Sequence, residues 1–246
     1  MLLVGAVELV VIGIAGLLTA MLSAVAGLGG GVILLAVLAQ FFAPAVAIPI
    51  HGGIQLVANG SRAGFLLPDV SWPAVWRASL LLLPASFLGV AVATSIPEDA
   101  GRLVLAFFAL VVAWRPSLLK WRGDDLPLNA MVPVGALSGF LSGTIGVSGP
   151  VTSPMFRAVT ASHVAFVATA AASQVFAHAA KLLAFTVDGW DIRPHMSVIG
   201  VGVASVVFGS RLGTRLMGRV SEDRLGLVFK VVLTALAIRI VVAALV

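Results

Sequence analysis

The sequence predicts an all-α, polytopic membrane protein made of two inverted repeats, each with a broken, re-entrant helix pair plus three membrane-spanning helices. Three observations carry that prediction. The chain is 60% hydrophobic and only 10% charged, whereas a soluble domain carries roughly 25% charged residues. Polar and glycine positions recur at one fixed offset along the chain. A glycine-dense run, Ala26-Gly27-Leu28-Gly29-Gly30-Gly31, interrupts the apolar pattern in the first half and returns in altered form at 145–150.

Composition also excludes functions. No long polar stretch is present, so no extramembrane domain such as an attached ATPase is expected. No Gly-x-x-x-x-Gly-Lys-Ser/Thr loop occurs either. Any work of transport would draw on gradients. There is no cysteine, hence no disulfide, thiolate metal site or thiol nucleophile. No metal and no cofactor is expected. The net charge of +5 reads as Arg and Lys in cytoplasmic loops rather than as a nucleic-acid surface. Residues 5–25 lack a basic n-region and a clear cleavage motif before them, so they are expected as a first membrane helix and not a removed signal.

The elements follow from cutting apolar runs at charges and Pro/Gly clusters. Residues 5–25 form a full-length helix. Residues 32–42 reach only about 16 Å of helix, too short for a hydrocarbon core of about 30 Å. Helices over 46–61, 73–94 and 101–118 follow. After the polar loop 120–129 the pattern restarts with 130–145, a short piece at 150–159, then 161–185, 194–210 and 224–246.

An offset of 119 aligns Gly16 with Gly135, Ser23 with Ser142 and Gly27 with Gly146; it also aligns Gln55 with Gln174, Arg62 with Lys181 and Asp69 with Asp188. Polar identities are scarce in so apolar a chain, and their agreement indicates a tandem duplication, 1–120 and 121–246. If each long-plus-short pair enters and leaves on one side, each half makes an odd number of crossings and the repeats are inverted. With the loop holding Arg115, Lys120 and Arg122 in the cytoplasm, Arg62, Arg77, Arg157 and the cluster Arg211, Arg215, Arg219 and Arg224 also fall inside. Arg102 and Arg193 remain outside. A parallel arrangement would put the 211–224 cluster outside, so the positive-inside tendency favours inversion, with both termini outside.

Glycines this dense break a helix, and non-helical backbone at membrane depth is tolerated where it is buried or lines a cavity. A short helix starting at Gly29, Gly30 and Gly31 presents unpaired N–H groups and the positive end of its dipole. Such an end attracts an anion. Ser148, Gly149 and Pro150 open the second short helix, with Thr152 and Ser153 adding hydroxyls. The pairs Gly139-x-x-x-Gly143 and Gly209-x-x-x-Gly213 are better read as close helix packing. Polar stripes are the second signal. His51, Gln55, Asn59 and Arg62 lie on one helix face, and Gln174, His178 and Lys181 occupy the equivalent face of the other half. Polar groups facing lipid are costly, so both stripes should face a cavity or the bundle interior. Gln55 and Gln174 supply amide hydrogens to an oxyanion, with Asn59 and His178 as the next rung. Arg62 and Lys181, near helix ends, are expected to snorkel to the interface or to guide anions. No acid pair falls in mid-membrane, which argues against a carboxylate-based cation carrier. The titratable candidates for proton coupling are His51 and His178. Ser173 stands five residues before His178, which does not align a nucleophile with a base on a helix, so an enzyme is not expected.

Gly27-Leu28-Gly29-Gly30-Gly31, its recurrence as Gly146-Val147-Ser148-Gly149-Pro150, the small apolar chain and its duplicated halves together resemble the sulfite exporter TauE/SafE family of membrane permeases. The similarity covers essentially the whole chain. Ala36 departs from it where the family often has proline, and Ser148 and Pro150 stand where members commonly keep glycine. The resemblance implies secondary export of small sulfur-containing anions, such as sulfite or organosulfonates, in a bacterial or archaeal inner membrane. Combined with the two glycine breaks, it implies alternating access at a midplane site between the repeats. The alternatives are a passive anion channel or an uptake permease for another small organic anion. The partners expected are the anionic substrate and the lipid bilayer, with a homodimer as the candidate assembly.

Overall fold

The computed structural model describes residues 5–26, 29–119, 126–216 and 222–245. The motif residues Gly27 and Leu28 and the loop cations Lys120, Arg122 and Arg219 lie outside these residues. The described residues form eleven α-helices, short 3-10 turns and no strand. The first half contributes α1 (Ala6–Ala26), α2 (Gly30–Leu38), α3 (Pro44–Phe65), α4 (Trp72–Ser79), α5 (Leu82–Ser95) and α6 (Glu98–Trp114). The second contributes α7 (Met131–Thr144), α8 (Gly149–Ala158), α9 (His163–Val187), α10 (Met196–Leu216) and α11 (Glu222–Leu245).

Both expected interruptions are present. α2, of nine residues, begins at Gly30 after Gly29, whose φ is +104°. α7 ends at Thr144, and the chain turns through Gly146, at φ +87°, before α8. L-residues avoid that left-handed region, and glycine enters it freely. The expected helix over 73–94 is instead two pieces, α4 and α5, bent by 47°.

Length and apolarity alone qualify four helices as membrane spans: Ala6–Ala24, His163–Val187, Arg193–Gly213 and Gly226–Leu245, with the bent α4–α5 pair as a fifth. α3 is long enough at 22 residues, but its polar stripe lowers its apolarity. That is affordable because α3 lies inside, packed on α9, with Ile48, Ile50, His51 and Ile54 all buried. The helices around this pair turn apolar side chains outward: Val7, Leu88, Phe107, Phe208 and Leu227 are all exposed. An apolar exterior with a partly polar interior is what lipid surroundings require.

The packing is reciprocal between the halves. α1 lies on α10, and its counterpart α7 lies on α5 and α4; α3 pairs with α9, and α6 with α11. Trp114 in α6 donates its indole N–H to the Thr234 hydroxyl of α11 at 2.8 Å. Small residues set the close crossings. A Cβ on Gly139 would sit 2.2 Å from the Leu82 carbonyl oxygen, and one on Gly209 equally close to that of Leu17. These pairs therefore serve packing, as their spacing indicated.

Candidate functional site

α2 and α8 each start beside the central α3–α9 pair, so two helix N-termini face the same interior. The first N–H groups of an α-helix have no intrahelical acceptor. In α2 the ladder begins with Val32 donating to the Gly29 carbonyl at 3.0 Å, so the Gly30 and Gly31 amides precede it. In α8 it begins with Val151 donating to the Ser148 carbonyl at 3.0 Å, which leaves the Gly149 amide, since Pro150 has none.

One cavity of about 70 Å³ collects these features. The first half brings Gly29 and Gly31 from the α2 start, together with His51, Gln55 and Asn59 from α3. The second half brings Ser148 and Gly149 from the α8 start and Gln174 and His178 from α9. Two of the expected residues stand outside the lining. Gly30 is a packing position: a Cβ there would lie 1.9 Å from the Thr19 carbonyl oxygen of α1. Thr152 is fully buried, and its hydroxyl donates back to the Ser148 carbonyl at 3.1 Å.

Within the cavity the hydrogen bonds leave donors unspent. Gln174 Nε2 donates to Ser148 Oγ at 3.1 Å, and Ser148 Oγ shares a hydrogen bond with Ser138 Oγ at 2.8 Å. On α3, Asn59 Nδ2 donates to the Gln55 carbonyl at 3.0 Å and to Gln55 Oε1 at 3.4 Å. The Gln55 oxygen is thereby occupied while its NH₂ group faces Gly31. The His51 and His178 rings meet edge to face with centroids 5.7 Å apart. Both are buried, and among the described residues neither ring nitrogen of His51, nor Nδ1 of His178, has a hydrogen-bond partner. Among the described residues no carboxylate lines the cavity. Among the described residues no cluster of three or more His, Asp or Glu could hold a metal ion.

Two cations differ from expectation. Lys181 does not snorkel. It is fully buried, and its ammonium donates to the Gly146 carbonyl at 2.9 Å, tying α9 to the turn between α7 and α8. Gly52 makes room for it, since a Cβ there would lie 2.7 Å from Lys181 Cε. Arg62 is half-buried and lines the cavity itself. Pro150 lines it as expected, and Ser23, Val32 and Val147 also line it without having been expected there. For Ser23 a sequence signal existed in its match to Ser142, but that pairing names no direction for the side chain.

The family described as sulfite exporter TauE/SafE matches residues 12–240. A curated relative, the probable sulfite/organosulfonate exporter TauE of Cupriavidus necator, is 30% identical over 135 residues, 51% of this chain and 52% of that protein. The match therefore spans about half the length of that relative. No solved structure matches. With a family match that runs through both glycine breaks and both polar stripes, the chain belongs to the sulfite exporter TauE/SafE family, whose members are exporters and not enzymes.

Proposed function

We propose that this protein is a secondary transporter that exports small sulfur-containing anions, sulfite and organosulfonates foremost, across the inner membrane. The observation that carries the reading is one cavity walled by two helix starts, one from each half of the chain, with amide donors and, among the described residues, no carboxylate around it. Helix N-termini attract negative charge through their partial positive ends and free N–H groups. An interior of about 70 Å³ compares with about 10–15 Å³ for one water on this measure, which suits a compact oxyanion. The name of the relative in Cupriavidus necator supports sulfite and organosulfonates as the substrate class.

The working cycle is alternating access. Residues 1–120 and 121–246 are the two moving halves, inverted relative to one another, and they rock about the α3–α9 contact to open the cavity to each face in turn. The reciprocal packing of α1 on α10 and α7 on α5 supports two equivalent halves. Substrate contacts fall to Gly29, Gly31, Ser148, Gly149, Gln55, Asn59, Gln174 and His178, with Gly30 and Thr152 shaping the two helix starts. His51 and His178, buried and edge to face, carry the coupled proton; the cation beside both is Lys181.

The test is sulfite flux in proteoliposomes. Gln55→Ala and Gln174→Ala each remove donors to a charged ligand, a loss of about 1.5–3 kcal/mol, and each should lower kcat/KM at least about tenfold with folded protein retained. Normal flux in both variants would overturn the site assignment.

A further inference from the structure

Arg62 occupies the last turn of α3 as the lower rung of the polar stripe, and it lines the cavity. Its one hydrogen bond among the described residues is long and to a neutral group, from Nη1 to Asn59 Oδ1 at 3.4 Å. Among the described residues the salt bridges are Arg102–Glu98 and Arg193–Asp191, both away from the cavity. The guanidinium thus carries a full charge into a half-enclosed space with no counter-charge, a costly arrangement unless a negative partner arrives. Lys181, its counterpart at the 119 offset, has gone the other way: it is fully buried, bound to the Gly146 carbonyl and outside the cavity lining.

On the reading of this cavity as an anion site, we infer that Arg62 is the ion-pairing and specificity-determining residue. It selects solutes that bring both a negative charge and two coplanar acceptor oxygens. A guanidinium presents two parallel N–H groups that match such a pair of oxygens, which an ammonium cannot do. The bond to Asn59 passes the effect onward. Asn59 in turn donates to Gln55 Oε1, so pairing at Arg62 and donation from the Gln55 NH₂ group act on one bound oxyanion. A neutral isostere of the same size, a sulfonamide in place of a sulfonate, leaves the cation unmatched and is rejected. The two cations related by the duplication therefore have separate tasks: Lys181 holds the second glycine turn, and Arg62 meets the ligand.

The experiment measures binding of sulfite, methanesulfonate and methanesulfonamide to the purified full chain by calorimetry, with folding checked by circular dichroism. Wild type should bind the two anions and not the sulfonamide. Arg62→Gln should weaken anion binding at least about tenfold, the scale of a lost charged hydrogen bond, and close the gap to the sulfonamide. Arg62→Lys should recover part of the affinity, because charge remains and the fork is lost. Arg77→Gln removes a half-buried cation outside the cavity lining that hydrogen-bonds Asn129 and Pro73 and should leave anion binding unchanged. If wild type binds the anions and Arg62→Gln binds them equally well, this inference falls while the transport reading stands. If wild type binds neither anion, the transport reading fails, and this inference with it. Should Arg62→Gln not fold, an Arg62→Lys protein with wild-type sulfonate affinity refutes the two-oxygen pairing.

Discussion

Gly31 offers a perturbation that separates binding from folding. Its backbone is not in the left-handed region, since among the described residues positive φ is confined to Gly29, Gly146 and Gly189. Alanine at the second position of α2 is therefore sterically permitted, and the Gly-to-Ala change in a helix favours folding by up to about 1 kcal/mol. The added methyl would stand 3.2 Å from Gln55 Nε2 and 3.5 Å from His51 Nε2, between the helix start and the amide that the ligand needs. Both neighbours are side-chain ends that shift by a few tenths of an ångström, so the fold tolerates the change. The ligand cannot then approach the α2 amides. Loss of one charged hydrogen bond is worth about 1.5–3 kcal/mol, or roughly a 10- to 100-fold rise in Kd. The neighbouring glycine gives the opposite outcome: a methyl on Gly30 would lie 1.9 Å from the Thr19 carbonyl oxygen and 2.3 Å from Ser23 Oγ, so Gly30→Ala should prevent α1 and α2 from packing. The assay is thermal stability in detergent with and without sulfite, followed by sulfite binding. Gly31→Ala should melt at or above the wild-type temperature and lose most of the ligand-induced shift. A Gly31→Ala protein with wild-type sulfite affinity would refute the placement of the anion at this helix start.

Two further outcomes test neighbouring parts of the same construction. Gly146→Ala forces a side chain into the left-handed region at a cost of about 1–2 kcal/mol and sets its Cβ 2.9 Å from Leu35 Cδ2, which adds about 1–3 kcal/mol of overpacking; the thermal midpoint should fall clearly, and an unchanged midpoint would mean that the turn is not held as described. His178→Gln removes a titratable ring from the buried pair with His51. Sulfite accumulation driven by a pH gradient should be lost while exchange at equal pH on both sides persists, and retained gradient-driven accumulation would remove this histidine from the coupling path.

Much of the architecture was legible because the membrane imposes strong one-dimensional rules. Apolar runs cut at glycine, proline and charge located most helices, although the stretch over 73–94 is two helices rather than one and α10 runs on to Leu216 past its expected end at 210; both breaks appeared where glycines cluster. The bend between α4 and α5 did carry a signal, Pro84: a proline has no N–H to give the Leu80 carbonyl and crowds it, so a helix breaks one turn before it. Within the site, Gln55, Asn59, Gln174 and His178 were found through helical periodicity, because a polar face in an apolar helix has few places to go. Lys181 was misjudged for a related reason. A lysine near a helix end usually reaches for water, and only the crossing of α9 over Gly52, beside the Gly146 carbonyl, supplies it with a partner inside.

The sequence by itself determined that the chain is helical, lives in lipid and breaks its helices near 26–31 and 145–150, because hydropathy and glycine content act locally along the chain. Only the tertiary structure decided that both glycine turns and both polar stripes open onto one cavity, that Gly30 packs while Gly31 faces inward, and that of two matched cations one is locked and the other open. Those outcomes depend on which helix faces cross and at what distance, and neighbouring residues with the same side chain, or none, carry no record of that in their order.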